Sequence, residues 1–279
     1  MFQYAAGRAL SSRLGQQLRL DVSGFVNYRL HNGFELPHLF NGTMDVATPE
    51  DMQRVLGWQA MPSIRKLLLR PELAVLRSNK FVVEPHFHYC SELDRLSGDC
   101  YLMGYWQSEK YFKSIESIIR ADFVFRQPMS ERNQQIADEI TQSNAVSLHV
   151  RRGDYVQNTN TFATHGACSL DYYRAAILRI AERVEQPKFF IFSDDITWVK
   201  GNMKIDFPCQ YVDHNCGGES YNDMRLMSLC KHNIIANSSF SWWGAWLNPR
   251  ADKIVIAPKC WFANQTNVQD LFPPGWLTL

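Results

Sequence analysis

The chain has 279 residues, 46% of them apolar and 13% aromatic, enough to bury a substantial core in two α/β lobes of about 100–150 residues each. Its 29 Lys and Arg against 28 Asp and Glu leave a formal charge of +1, which excludes a global field drawing the protein to nucleic acid or an acidic membrane, so any phosphate contact has to be local. No run approaches the roughly 18–20 consecutive apolar residues that span a bilayer, and the seven cysteines, an odd number with no Cys-x-x-Cys pair or zinc-finger spacing, read as reduced thiols of a cytosolic protein.

In chain order, Phe2, Ala5, Ala6, Ala9 and Leu10 recur at helical spacing up to a stop at Gly15, and Leu18 to Val22 reads as a strand. Residues 25–100 hold aromatic and proline-containing segments such as Phe81-Val82-Val83-Glu84-Pro85, which predict short strands and long loops without clear periodicity. Beyond residue 145 the pattern sharpens. Val146 to Val150 is a β-rich run, Ser169 opens a helix through about Val184, Phe189 to Phe192 is an apolar strand, and Gln210-Tyr211-Val212 is another. Ser220 with Asp223 resembles a capping box opening a helix to Lys231, and Asn233 to Ala236 and Lys253 to Ala257 complete the series. Strands alternating with helices imply a parallel sheet wound on both faces.

Ligands of open α/β sheets bind beyond the carboxyl ends of the strands, where helix amino termini point their N–H groups. Arg151, Arg152, Gly153 and Asp154 follow the first of these strands; Ser193, Asp194 and Asp195 follow the second; Asn237, Ser238, Ser239, Phe240 and Ser241 follow the fourth. Two adjacent guanidinium groups suit a diphosphate, because each offers a planar fork of donors that stays charged. The structural alternative is that one of them pairs with Asp154 or Asp195 to staple loops. Asp194 and Asp195 lack the Asp-x-Asp spacing of one metal-dependent sugar-transferase class; a carboxylate there can instead accept from guanine N1 and its exocyclic amine, or cap a helix. The serines could cradle phosphate or serve as caps. Trp242, Trp243 and Trp246 at helical spacing read as core, and His149, inside a strand run, is promoted only by its neighbours.

Taken together, His149-Val150-Arg151-Arg152-Gly153-Asp154-Tyr155, Met1-Phe2-Gln3-Tyr4-Ala5-Ala6-Gly7, Phe192-Ser193-Asp194-Asp195 and Asn237 to Ala245 resemble the bacterial α-1,2-fucosyltransferases of glycosyltransferase family 11, whose signature is His-x-Arg-Arg-x-Asp. The family's opening segment follows a Gly-Gly-Leu-Gly-Asn-Gln loop, which is expected upstream of Met1. The resemblance implies a GT-B-like α/β architecture of two Rossmann-like lobes, acceptor-side over 1–140 and donor-binding over 141–279, with the donor at the carboxyl ends of the second lobe's strands. It implies GDP-fucose as donor and an oligosaccharide or glycolipid acceptor, as in O-antigen assembly, with no cofactor, no metal and no nucleic acid. A cytoplasmic location is expected, and association with the inner face of the plasma membrane rests on the acceptor alone. By the same resemblance His149 and Asp195 contact guanine, Arg151 the diphosphate, and Ser238 and Ser239 the phosphates or ribose; Arg152 shapes the site, with Asp194, Asn237 and Phe240 also lining it. Arg151 is the expected catalytic cation. Asp154 is the nearest candidate general base, with His165 and Glu219 as substitutes. The rival readings are a protein O-fucosyltransferase or other GDP-sugar transferase, and a non-catalytic nucleotide- or glycan-binding protein.

Overall fold

The computed structural model describes residues 1–26, 33–153, 166–263 and 266–279. Its contacts divide the chain into two units, Met1–Arg126 with Asn267–Pro273, and Gln127–Thr266 with Pro274–Leu279.

The first unit opens with α1 (Phe2–Leu14), which ends where Gly15 adopts φ 63° and its N–H reaches the last-turn carbonyls, the left-handed stop that glycine takes at no steric cost. The strand expected over 18–22 is reduced to one parallel bridge, Leu20 with Val46. Asp21 is the reason: its Oδ1 accepts the Ser23 N–H at 3.0 Å, a local side-chain bond that turns the chain out of extended geometry. Phe81–Val83 is a strand, β1, paired in parallel with β2 (Tyr101–Met103). The region read as strands and loops also holds α2 (Pro49–Leu56) and α3 (Pro62–Leu68). α2 starts with a complete capping box between Thr48 and Asp51 and a proline in its first turn, a start signal present in the sequence but not followed by a long apolar period.

The second unit contains α4 (Glu131–Thr141), β3 (Asn144–Val150), α5 (Leu170–Ala181), β4 (Pro187–Ser193), α6 (Ile196–Asn202), β5 (Cys209–Val212), α7 (Tyr221–Leu229), β6 (His232–Ile234), α8 (Ser239–Leu247), β7 (Val255–Ala257) and β8 (Leu277–Thr278). The six strands are all parallel in the order β5-β4-β3-β6-β7-β8. The chain winds outward from β3 through β4 and β5, then returns to the other side of β3 at β6, so the direction of winding reverses between β3 and β6, where doubly wound sheets open a ligand crevice.

Strand alternation assigns the two faces. Val146, Leu148 and Val150 pack with Phe189 and Ile191 against Tyr173, Ala176, Ile177 and Ile180 of α5. Ala145, Phe190, Phe192 and Val212 pack against Ile136 and Ile140 of α4 and Leu226 and Met227 of α7. Between the two strands at the reversal, buried Asn233 Nδ2 donates to Ser147 Oγ at 2.7 Å and to Met227 O at 2.9 Å, while Asn248 Nδ2 donates to Asn233 Oδ1 at 2.9 Å. This polar bracket ties β3, β6 and the end of α8 together. The capping box expected at Ser220 is absent, because a 3-10 turn over Gly217–Glu219 leaves Ser220 helical at φ −60°, ψ −23° rather than extended. Trp242, Trp243 and Trp246 are buried on α8, Trp243 meeting the other two edge to face while Trp242 and Trp246 lie parallel, as the core reading expects.

Candidate active site

The parallel register pairs Val150 with Ser193 at the last rung of β3 and β4. Continued one and two residues past the rung, it brings Arg151 opposite Asp194 and Arg152 opposite Asp195. The side chains follow. Arg151 Nε lies 3.1 Å from Asp194 Oδ2, and Arg152 Nε 3.8 Å from Asp195 Oδ2. Asp194 also accepts the Arg152 N–H at 2.9 Å and the Gly153 N–H at 3.0 Å, so one carboxylate neutralises a guanidinium and caps the two backbone donors left open where β3 ends. A Cβ at Gly153 would stand 2.9 Å from Asp194 Oδ2; glycine is needed there for this close approach.

These contacts revise the sequence expectations. Both arginines hold carboxylate partners, where the loop-stapling alternative asked for one: Asp194 faces Arg151 and Asp195 faces Arg152. Asp194, expected against the substrate, is spent within the protein on three contacts, because strand register delivers it there. Asn237 is likewise spent: it is buried, its Nδ2 donates to Gly166 O and Trp261 O, and its Oδ1 accepts from Cys168 Sγ. Arg152 lies with its Cζ 3.7 Å from the centre of the Trp198 ring, a cation–π contact that accounts for its place beside α6. Its Nε is buried and makes no hydrogen bond.

Asp195 is the N-cap of α6, with Oδ1 accepting the Trp198 N–H at 3.1 Å. Ser238 stands at the N-cap of α8 without a side-chain cap bond, Ser239 is exposed in the first turn, and Ser241 turns its hydroxyl back to Ser238 O at 3.2 Å, removing it from the phosphate cradle. The ring of Phe240 lies 5.7 Å from that of His149, which joins the end of β3 to the first turn of α8.

His149 is 4% exposed. Burial first, and then the positive charge of Arg151, pull its pKa down to about 3, so the ring is neutral at any physiological pH. Its Nδ1 is buried and has no hydrogen-bond partner among the described residues, a state that costs stability unless something else completes it. Asp154, Tyr155 and His165 lie outside the described residues. Glu219 is exposed in the β5–α7 connection and holds Asn222 Nδ2 at 2.9 Å. Among the described residues, no group of three or more His, Cys, Asp or Glu gathers as a metal site does.

One residue that the sequence reading used only as a cap is Asp223 on α7. Burial raises its pKa to about 7, opposed by a 2.8 Å hydrogen bond from Asn215 Nδ2. Asn215 in turn exchanges amide bonds with Asn133, which His214 Nε2 also meets at 2.9 Å. The folded protein therefore keeps a proton on Asp223 that the unfolded chain releases near pH 3.8. The stability this supplies is complete below that value and is lost as pH rises through about 7. Thermal melts of Asp223→Asn should show the variant gaining on the parent protein between pH 5 and pH 8; an unchanged difference in Tm at the two pH values would mean that Asp223 titrates normally.

Comparison with known proteins gives three further findings. The family model described as glycosyl transferase family 11 matches residues 66–279. An alpha-1,2-colitosyltransferase of Escherichia coli is 36% identical over all of this chain and 94% of its own length, and the O-antigen biosynthesis glycosyltransferase WbnK of Escherichia coli is 35% identical over all of this chain and 96% of its own. Among solved structures, NodZ alpha-1,6-fucosyltransferase soaked with GDP-fucose superposes with a TM-score of 0.54 at 18% identity, covering 91% of this chain and 89% of that one; at that identity the likeness concerns the fold, an α/β architecture with parallel sheets of GT-B-like type.

Proposed function

The chain belongs to glycosyltransferase family 11, and from that premise we propose that it transfers L-fucose from GDP-β-L-fucose to the 2-hydroxyl of a terminal galactose on an acceptor glycan, with inversion and without a metal. The observation that supports the reading is the pair of guanidinium groups fixed by the β3–β4 register at the carboxyl end of β3, the strand on whose other side the sheet reverses its winding. A β-linked donor giving an α-linked product calls for one in-line displacement through an oxocarbenium-like transition state, as in inverting glycosidases. Negative charge then grows on the departing β-phosphate, and Arg151 is the preorganised cation for it. His149 and Asp195 meet the guanine, the unpartnered Nδ1 of His149 being completed by the base. The amino terminus of α8, with Ser238 and Ser239, receives phosphate oxygens. Asp154 takes the proton of the acceptor hydroxyl. The donor-binding role falls to the unit Gln127–Thr266 with Pro274–Leu279 and the acceptor-side role to Met1–Arg126 with Asn267–Pro273, so the boundary lies earlier than the expected 140 because α4 packs on the second unit's sheet.

The 36% identity to a colitosyltransferase favours a second reading of the donor, with a colitosyl group in place of fucosyl on the same machinery. One experiment separates them: GDP release from GDP-fucose and from the corresponding colitosyl donor, each with galactose-terminated acceptors, with and without EDTA. Acceptor-dependent release from GDP-fucose, unaffected by EDTA, is expected. Release from the colitosyl donor alone would reassign the sugar, EDTA sensitivity would remove metal independence, and no release from either would leave only binding.

A further inference from the structure

The first unit carries a set of exposed apolar side chains among the described residues. Trp58, Met61, Leu67, Leu69, Val75 and Leu76 are all exposed, Trp58 by 61% and Val75 by 86%. They sit on three consecutive elements that pack together: the 3-10 turn Gly57–Ala60, α3, and the 3-10 segment Pro71–Leu76. Arg77 locks the last two by donating from Nε to Leu68 O at 2.7 Å and from Nη2 toward the carbonyls of Leu69 and Arg70. The inward side of the same segment is a proper core, with Leu56, Leu68 and Phe81 buried and Ile64 and Leu73 packed on them. The exposed apolar residues are therefore the outer face of a well-formed substructure, not an unfinished core.

The charge on this segment is equally one-sided. Between Gly57 and Lys80 stand Arg65, Lys66, Arg70, Arg77 and Lys80 against Glu72 alone, in a chain whose formal charge is only +1. Arg65 is buried and held by Asp21, Tyr101 and Ser23, and Arg77 is the clamp. Lys66, Arg70 and Lys80 are exposed, and among the described residues none of the three forms an ion pair. Elsewhere on the surface the pattern is different: Lys110 pairs with Asp270, Arg132 with Asp213, Lys188 with Glu139 and Arg174 with Asp171.

We propose that the outer face of residues 57–80 docks the protein on an anionic lipid bilayer, its apolar side chains entering the headgroup boundary and Lys66, Arg70 and Lys80 meeting lipid phosphates. Exposed Trp and aliphatic side chains flanked by cations are what a surface needs to lie in that interface, where burial of apolar area and attraction to anionic headgroups add. A second copy of the chain is the poorer occupant, since a two-fold contact brings together two copies of the same basic segment, which has Glu72 as its one acid. The inference stands apart from the reading of the donor site: it concerns other residues and has its own readout.

The test is co-sedimentation of the whole protein with vesicles of phosphatidylethanolamine and phosphatidylglycerol, and with vesicles of phosphatidylcholine. Binding is expected to the first, at least tenfold weaker to the second, and weakening with salt. With each surface cation contributing about 1 kcal/mol near an anionic leaflet, Lys66→Ala with Arg70→Ala should weaken binding about thirtyfold, and Leu67→Ser with Val75→Ser and Leu76→Ser should abolish it. Both variants should keep the parent Tm and parent GDP release with a soluble acceptor. The proposal is overturned if the protein fails to bind the anionic vesicles, if the variants bind as well as the parent, or if sedimentation shows a dimer that the serine variant breaks while lipid is ignored.

Discussion

Replacing Arg151 by alanine is expected to lower kcat by about 10²–10³-fold while the protein stays folded, the loss seen when a single preorganised donor to a developing anion is removed. The ion pair to Asp194 is what makes so large an effect reasonable. It engages one of the five N–H donors that a guanidinium carries and fixes the plane of the group before any ligand arrives, so no reorganisation is needed when the phosphate departs. Arg151→Lys keeps the charge and loses the fork, and should recover only part of the rate. Steady-state kinetics with GDP-fucose, run beside circular dichroism and a thermal melt, measure both halves of the expectation. Near-normal turnover in Arg151→Ala would remove this side chain from the mechanism.

Asp194→Ala is expected to be almost as damaging in turnover and to cost stability as well. Three groups lose their acceptor at once: the Arg151 guanidinium and the N–H groups of Arg152 and Gly153. Hydrogen bonds to a charged group contribute about 1.5–3 kcal/mol each when well shielded, but the carboxylate is roughly a quarter exposed, so a total loss of about 2–3 kcal/mol in urea unfolding is the reasonable size. Asp194→Asn should fall between, since one oxygen remains to accept a backbone N–H. The discriminating measurement is the double variant: if Asp194 acts through Arg151, the double loss in kcat should be close to that of Arg151→Ala alone rather than the product of the two. A full product would make the roles independent.

The sequence announced the second unit far more clearly than the first, for a physical reason. Its strands are buried on both faces, so Phe189 to Phe192 is an unbroken apolar run and Val146 to Val150 a β-rich one, and each is followed by charged and polar residues at its carboxyl end. Beyond α1, whose spacing was readable, the strands of the first unit are three residues long and α2 and α3 eight and seven, too short for a period to show; only the Thr48-Pro49-Glu50-Asp51 start signal could have revealed α2. The arginines' neighbourhood was legible, and Asp195 was among the partners weighed, but the pairing of Arg151 with Asp194 was not. Adjacent aspartates at a strand end look alike in a sequence, and only the register of β3 against β4 makes Asp194 an internal latch and leaves Asp195 to cap α6. Nor does composition expose the outward face of residues 57–80, because a near-zero net charge averages away a basic segment whose counter-charges lie elsewhere.

The alignment of Val150 with Ser193 has a consequence for how lesions in this enzyme will present. The pairing of each arginine with its aspartate is not added to a finished sheet but follows from the register of two neighbouring strands. A substitution at Phe190 or Ile191, wholly buried and two or three residues short of the strand end, is expected to surface in an assay as a turnover defect, because misaligning those strands also parts each arginine from its counter-ion.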